Sequence, residues 1–166
     1  MRGTNPSGLT TPIAPHDARL ATLCTAFSME PATTLEKNEF HKVLTLVLTD
    51  WRLFRILRQL IEANTVPHES SVNCALVVEG IRHLLAVPGS NTKQSWLNMR
   101  ERLNLSVDYL KLITDVSIAP RHGDSTHIPG TTAVEITQRT WTVMNRLFEY
   151  KKRGAQGLDA AEFPVL

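Results

Sequence analysis

Residues 37–63 read KNEFHKVLTLVLTDWRLFRILRQLIEA, and their periodicity points to a fold class. Apolar residues recur every three or four positions, which is the spacing of one face of an amphipathic α-helix. Only threonines and Asp50 interrupt this face. We therefore predict one long helix from Lys37 to Ala63, with Trp51 and Phe54 on its apolar face.

The rest of the chain carries further helical patterns with clear stop signals. Helices are predicted over residues 17–30, 70–86, 92–103, 106–120 and 132–153, and Pro120 is expected to close the fourth of these. Thr132 and Glu135 have the spacing of a capping box at the start of the last helix. No segment alternates like a strand. The pattern predicts an all-α antiparallel bundle of about four to six helices.

Composition predicts one domain with two appendages. Residues 1–16 are rich in Gly, Pro, Thr and Ser and are expected to form a flexible arm. Residues 17–153 are predicted to form the bundle, and residues 154–166 a tail with an apolar end that can dock back on it.

Charge and cysteine content exclude few functions. The 166 residues carry a net charge of +2, so electrostatics alone neither favour nor exclude nucleic acid. Cys24 and Cys74 form no C-x-x-C pair and are expected to be free thiols in a reducing cytoplasm. No apolar run approaches the roughly 20 residues of a membrane span. We expect a cytoplasmic protein with no membrane contact, no metal and no cofactor.

The segment RHGDSTH at residues 121–127 is the best candidate for a chemical site. The guanidinium fork of Arg121 matches phosphate oxygens, and His122 and His127 can exchange protons near neutral pH. Such groups can deprotonate a ribose 2′-hydroxyl and stabilise the phosphorane that forms. Asp124 is a supporting residue of the same loop.

The segment resembles the motif of the HEPN family of small helical bundles. That family carries R-x(4–6)-H at the start of its final core helix, and here five residues separate Arg121 from His127. His122 occupies the polar position after the arginine, and Glu79 lies within an apolar helical run, as in the family. The resemblance covers residues 37–153, although Pro129 and Gly130 leave His127 ahead of the helix.

The resemblance implies a metal-independent endoribonuclease that acts as a homodimer, in toxin–antitoxin systems, phage defence or RNA processing. Arg121 and His127 would then be catalytic, and His122 would orient them or carry a second proton. RNA and an antitoxin or another protein are the partners that it implies.

Each of these residues also has a purely structural interpretation. The segment can simply connect two helices, because Gly, Asp and Ser favour turns. Glu79 can pair within its own helix with Arg82 or His83, or it can face the core and pair with Arg121 or a histidine.

Two further sets of residues also have both a functional and a structural interpretation. The basic cluster of the last helix can follow an RNA backbone or be a solvated helix end; it comprises Arg139, Arg146, Lys151, Lys152 and Arg153. The three tryptophans, Trp51, Trp96 and Trp141, are expected to pack in the core rather than to stack on bases.

Two functions from different classes follow. The first is an HEPN-like ribonuclease or RNA-binding or nucleotide-binding relative, with the site described above. The alternative is a helical interaction module without enzymatic activity, whose loop binds a partner or a phosphate-bearing ligand.

Overall fold

The computed structural model describes residues 34–124 and 127–166, with side chains from Phe40 onward. The predicted arm at residues 1–16 and the predicted helix at residues 17–30 lie outside these ranges. All the secondary structure within them is helical, so the all-α class is confirmed. The seven α-helices are α1 Thr34–Thr49, α2 Trp51–Thr65, α3 Ser70–Leu85, α4 Thr92–Leu103, α5 Val107–Asp115, α6 Ile118–Arg121 and α7 Gly130–Lys152.

The predicted single helix over residues 37–63 is two helices, because Asp50 breaks it. Asp50 is extended, with φ −120° and ψ 101°, and its carboxylate accepts the backbone N–H of Arg52 at 3.1 Å. Aspartate is among the best N-cap residues, so it starts α2 at Trp51 instead of continuing α1. The prediction of one uninterrupted helix was wrong for this reason.

Helix α3 is the centre of the bundle and packs against α2, α4, α5, α6 and α7. Its side chains Val77, Val78 and Ile81 are fully buried, as is Leu60 of α2. Full burial of a side chain of this size contributes about 1.5–3 kcal/mol each. A Cβ added to Gly80 would lie 2.8 Å from Cγ1 of Ile56, so α2 and α3 approach closely at this glycine.

Helix α7 begins earlier than its capping-box pattern predicts. Pro129 occupies the N-cap, and the backbone N–H of Ala133 donates to the carbonyl of Pro129 at 3.0 Å. Within residues 34–124 and 127–166, no side chain caps this end. Since Thr132 already lies within the helix, its hydroxyl is not the N-cap group, and the prediction of a capping box was wrong.

The C-terminal tail docks on the end of α4. The side-chain amide of Asn104 donates to the carbonyls of Leu158 and Phe163, at 2.8 and 3.0 Å. The backbone N–H of Ser106 donates to the carbonyl of Leu166 at 2.9 Å, and Leu158 is buried. We name the joined residues, Leu103, Asn104, Arg146, Leu158, Phe163 and Pro164, the tail clasp.

Candidate functional site

The candidate site is built on the short helix α6, which the sequence did not predict as a separate element. Helix α5 ends at Asp115, and Pro120 lies inside α6 instead of closing the preceding helix. Arg121 is therefore the last residue of a helix and not the first residue of a loop. Its backbone position is fixed by a hydrogen bond from its N–H to the carbonyl of Ser117 at 3.1 Å.

A Schellman motif ends α6 and turns the chain away. Gly123 has φ +80°, and its N–H donates to the carbonyl of Pro120 at 3.1 Å. The N–H of Asp124 donates to the carbonyl of Ala119, also at 3.1 Å. This pair of bonds defines the motif, and a glycine at the left-handed position avoids the steric cost of a Cβ.

Glu79 and Arg121 form an ion pair between α3 and α6. Nη1 of Arg121 donates to Oε1 of Glu79 at 2.9 Å, and the two side chains are 28% and 35% exposed. Of the pairings that the sequence left open for Glu79, the structure has the one to Arg121. A partly exposed pair contributes at most about 1 kcal/mol to stability, so its main effect is to orient the guanidinium. An arginine has five N–H donors, and this pair occupies one of them.

His122, Asp124 and His127 are all exposed. His122 caps the end of α6, and His127 lies three residues before α7 begins. Among the residues that the structure describes, no hydrogen bond or ion pair links either imidazole to Arg121 or Glu79. The fold thus joins Arg121 to Glu79 and leaves both histidines open to solvent.

Most of the basic cluster on α7 is engaged by acidic neighbours. Arg139 pairs with Glu135 at 2.8 Å and lies over the ring of Tyr109, with its Cζ 4.8 Å from the ring centroid. Nζ of Lys151 lies 3.7 Å from Oδ2 of Asp50. Lys152 pairs with Glu149 at 2.5 Å, and Arg153 pairs with both Glu149 and Glu162. These contacts fit the solvated helix end that the sequence left as an alternative.

Arg146 does not lie on the predicted RNA-binding surface. Its side chain is buried, and its guanidinium donates to the carbonyls of Leu103, Asn104 and Pro164 at 2.7–2.9 Å. Burial lowers the pKa of this guanidinium. The carbonyls at the end of α4 have no partner within the helix, so a long cationic side chain from α7 satisfies them. The assignment of Arg146 to RNA binding was wrong.

Trp51 and Phe54 are exposed, although both were predicted on the apolar face of a long helix. Their exposed fractions are 70% and 51%. The buried stripe of α2 comprises Leu53, Ile56, Leu57, Leu60, Ala63 and Asn64. These positions keep helical spacing, and Trp51 and Phe54 fall outside the stripe once α2 is treated as its own helix. Trp141 is buried as expected.

A groove between α2 and α3 was missed entirely by the sequence interpretation. We name it the α2–α3 groove; it has a volume of about 310 Å³. Its walls comprise Trp51, Arg52, Arg55, Ile56, Gln59, Leu76, Glu79, Gly80, His83 and Leu84. The signal was present, because Trp51, Arg55 and Gln59 recur every four residues beside the buried stripe of α2. It became visible only with the helix break at Asp50.

The groove adjoins the loop through a shared residue. Glu79 lines the groove and also binds Arg121, so the guanidinium of Arg121 lies at the edge of the groove. His83 lies one turn after Glu79 on α3, and its Nε2 is 2.9 Å from Nη2 of Arg82. Arg82 in turn lies over the ring of Trp96, at 5.2 Å from the centroid. Polar groups thus continue along the C-terminal half of α3.

Cys74 is a buried free thiol inside the bundle. Burial raises the pKa of this thiol, against hydrogen bonds from Thr140, Thr137 and Ser70 that lower it. Over the described ranges, no three His, Cys, Asp or Glu side chains gather in a way that could hold a metal ion. No helix within those ranges is long and apolar enough to span a bilayer.

The comparisons with known proteins identify a family without an assigned activity. Searches among curated proteins and among solved structures found no significant match. Residues 40–152 match the family model described as "Domain of unknown function (DUF8168) C-terminal domain". This range covers α2 to α7 and all but the first residues of α1. The chain therefore belongs to the DUF8168 C-terminal domain family.

Proposed function

We propose that this chain binds RNA at residues 121–127 and cleaves it without a metal ion, as an HEPN-like ribonuclease. The observation that carries the proposal is the ion pair of Arg121 with Glu79, next to exposed His122. A guanidinium that is oriented through one donor keeps its other donors for phosphate oxygens. A neighbouring imidazole that is open to solvent can reach a substrate.

The proposed reaction is an internal transfer at phosphorus. His127 takes the proton of the ribose 2′-hydroxyl, and the 2′-oxygen attacks the adjacent phosphorus. Arg121 stabilises the negative charge of the phosphorane. The bond to the 5′-oxygen then breaks, and His122 gives that oxygen a proton. The products are a 2′,3′-cyclic phosphate and a 5′-hydroxyl.

The proposal includes a homodimer, because the family resemblance implies two motifs that face each other. In a single chain, His122 and His127 are exposed and have no described side-chain partner. A second copy facing this surface would place two arginines and four imidazoles around one cleft between the copies. The proposal predicts that Arg121 and His127 of both copies line that cleft.

The test in cells compares the wild type with His127→Ala. We expect the wild type to slow growth and to fragment cellular RNA, and His127→Ala to abolish both effects. His68→Ala is the matched control, because His68 is another exposed histidine, located in the 3₁₀ turn Pro67–Glu69. Equal growth and intact RNA in all three strains would contradict the ribonuclease proposal.

One observation favours the alternative, a helical interaction module without enzymatic activity. In the described part of the chain no hydrogen bond or ion pair joins Arg121 to either imidazole, so a site for binding alone needs no rearrangement. A partner such as an antitoxin would then recognise the loop. RNA or protein binding without cleavage by the purified chain would support this alternative.

A further inference from the structure

We propose that the α2–α3 groove holds one unstacked nucleotide of a single-stranded RNA, with its base against Trp51 and its phosphates on Arg52 and Arg55. This inference rests on the proposed function, because it takes RNA as the ligand. It adds a second part of the molecule that binds the substrate, next to residues 121–127.

The size and walls of the groove fit one base. Its volume of about 310 Å³ lies at the lower end of the range of small-ligand sites, about 300–1,000 Å³. Ile56, Leu76 and Leu84 supply apolar surface. Trp51 stands at the rim with 70% of its surface exposed, although large aromatic side chains gain most when they are covered. An indole in this position is a stacking platform for any base.

The charges of the groove favour a phosphate backbone. Arg52 and Arg55 are both exposed, and within the described chain no hydrogen bond or ion pair engages the side chain of Arg55. Asp50 holds Arg52 through a contact of 3.3 Å from Oδ1 to Nε and leaves its Nη atoms free to donate. Among the described residues that line the groove, Glu79 alone carries a carboxylate, and it is paired with Arg121. The side that faces a ligand is therefore cationic.

The groove and the loop can hold one continuous strand. Glu79 lies in the wall of the groove and binds Arg121 directly, so a strand that leaves the groove past Glu79 meets the guanidinium next. Gln59 and His83 line the same groove and can hydrogen-bond a base edge. A duplex keeps its bases stacked inside the helix, so this site selects single strands.

The test is a binding titration with the full chain carrying His127→Ala, which removes the proposed cleavage. The probe is a fluorescein-labelled single-stranded RNA of eight nucleotides, followed by fluorescence anisotropy at fixed salt. Adding Trp51→Ala is expected to weaken binding about tenfold, and Trp51→Phe to restore most of it, because a phenyl ring also stacks. The same sequence as a duplex is expected to bind more weakly.

Arg55→Gln and Arg58→Gln form a matched pair on α2. Arg55 lines the groove, whereas Arg58 pairs with Glu62 outside it. Arg55→Gln is expected to weaken binding about fivefold and to reduce the salt slope by about 0.7, which is the value for one single-strand phosphate contact. Arg58→Gln and Phe54→Ala are expected to leave the Kd unchanged. Melting temperatures within the error of the parent show that each variant folds.

The outcomes separate the two proposals. If Arg121→Gln weakens RNA binding but Trp51→Ala and Arg55→Gln do not, the groove proposal is overturned and the proposed function survives. If the parent chain does not bind RNA at all, the proposed function fails, and the groove proposal fails with it. If Arg58→Gln weakens binding as much as Arg55→Gln, the contact is a diffuse surface charge, and the groove proposal is overturned.

Discussion

Arg146 and Arg121 connect distant parts of the chain in opposite ways. Arg146, in the tail clasp, is buried and donates to three carbonyls. The side chain of Arg121 is 28% exposed and donates to one carboxylate. The first arginine is committed to holding the chain together, whereas most donors of the second are free for a ligand. The comparison shows that an arginine is a candidate ligand-binding residue when the fold leaves most of its N–H donors without partners.

The largest expected effect is the loss of stability on removing Arg146. Arg146→Ala leaves the carbonyls of Leu103 and Pro164 without the guanidinium donor, whereas the carbonyl of Asn104 still accepts the backbone N–H of Leu166. An unsatisfied buried group costs about 1–3 kcal/mol. We expect the free energy of unfolding to fall by about 2–4 kcal/mol in urea denaturation. Arg121→Gln, measured in parallel, is expected to change it by less than about 1 kcal/mol. A similar loss of unfolding free energy in both variants would contradict the distinction between a structural Arg146 and an available Arg121.

Asn104 tests the same clasp from the other side. It ends α4 in the left-handed region, with φ 51°, and its side-chain amide donates to the carbonyls of Leu158 and Phe163 in the tail. Asn104→Ala is expected to cost about 2 kcal/mol, because it loses these bonds and places an ordinary residue at positive φ. Asn104→Gly relieves the backbone and is expected to recover part of this loss. An unchanged urea midpoint for Asn104→Ala would show that the side chain of Asn104 contributes no stability to the tail clasp.

Glu79→Gln sharpens the comparison at the exposed arginine. The amide keeps a hydrogen-bond acceptor for Arg121 but removes the charge, so stability is expected to change by less than about 1 kcal/mol. Without the negative charge of Glu79 beside it, the guanidinium of Arg121 attracts an RNA phosphate more strongly. Single-stranded RNA is therefore expected to bind several-fold more tightly. Weaker RNA binding by Glu79→Gln would mean that the charge of Glu79 is needed to hold Arg121 in place.

The smallest expected effect is a dependence of stability on acid pH through Asp50. Burial acts to raise the pKa of this carboxyl, but hydrogen bonds from Arg52 and the charges of Arg52 and Lys151 outweigh it and hold the pKa below its ordinary value. The unfolded chain therefore takes up this proton first as the pH falls. The contribution of Asp50 is complete above its ordinary value of 3.8 and is lost as the pH falls through the lower folded value.

Asp50→Asn checks this sign. Its urea midpoint is expected to fall less steeply than that of the wild type below about pH 4. Glu101→Gln, at an exposed carboxylate on α4, is the control and is expected to keep the slope of the wild type. If the urea midpoint of Asp50→Asn falls with pH as steeply as that of the wild type, Asp50 does not contribute to unfolding in acid.

The helical class could be predicted from the sequence because apolar spacing records burial directly. Val77, Ile81 and Leu85 of α3 and Met144 and Leu147 of α7 are buried where the pattern places apolar positions. The break at Asp50 could not be predicted with the same ease, because the apolar residues on either side keep a near-helical spacing. That one error placed Trp51 and Phe54 on the wrong side of α2.

The candidate site was predictable as a set of neighbours in sequence, with the pair of Glu79 and Arg121 as one of several alternatives. Residues 121–127 carry the reactive groups, but the choice of partner for Glu79 depends on how α3 and α6 pack. Glu79 and Arg121 are 42 residues apart in the sequence. Arg146 was misassigned for a related reason, since the carbonyls that it binds belong to α4 and the tail. Local charge patterns do not contain these distant partners.

The most direct test of the central claim is the chemistry of the RNA ends that the purified chain produces. A labelled single-stranded RNA is incubated with the wild type in excess EDTA, and the products are analysed for their terminal groups. We predict 2′,3′-cyclic phosphate and 5′-hydroxyl ends. We also predict that His127→Ala cleaves at least about a hundredfold more slowly than the wild type, since a general acid or base contributes at least that much. Uncut RNA, or equal cleavage by the wild type and His127→Ala, would contradict the claim that residues 121–127 form a ribonuclease site.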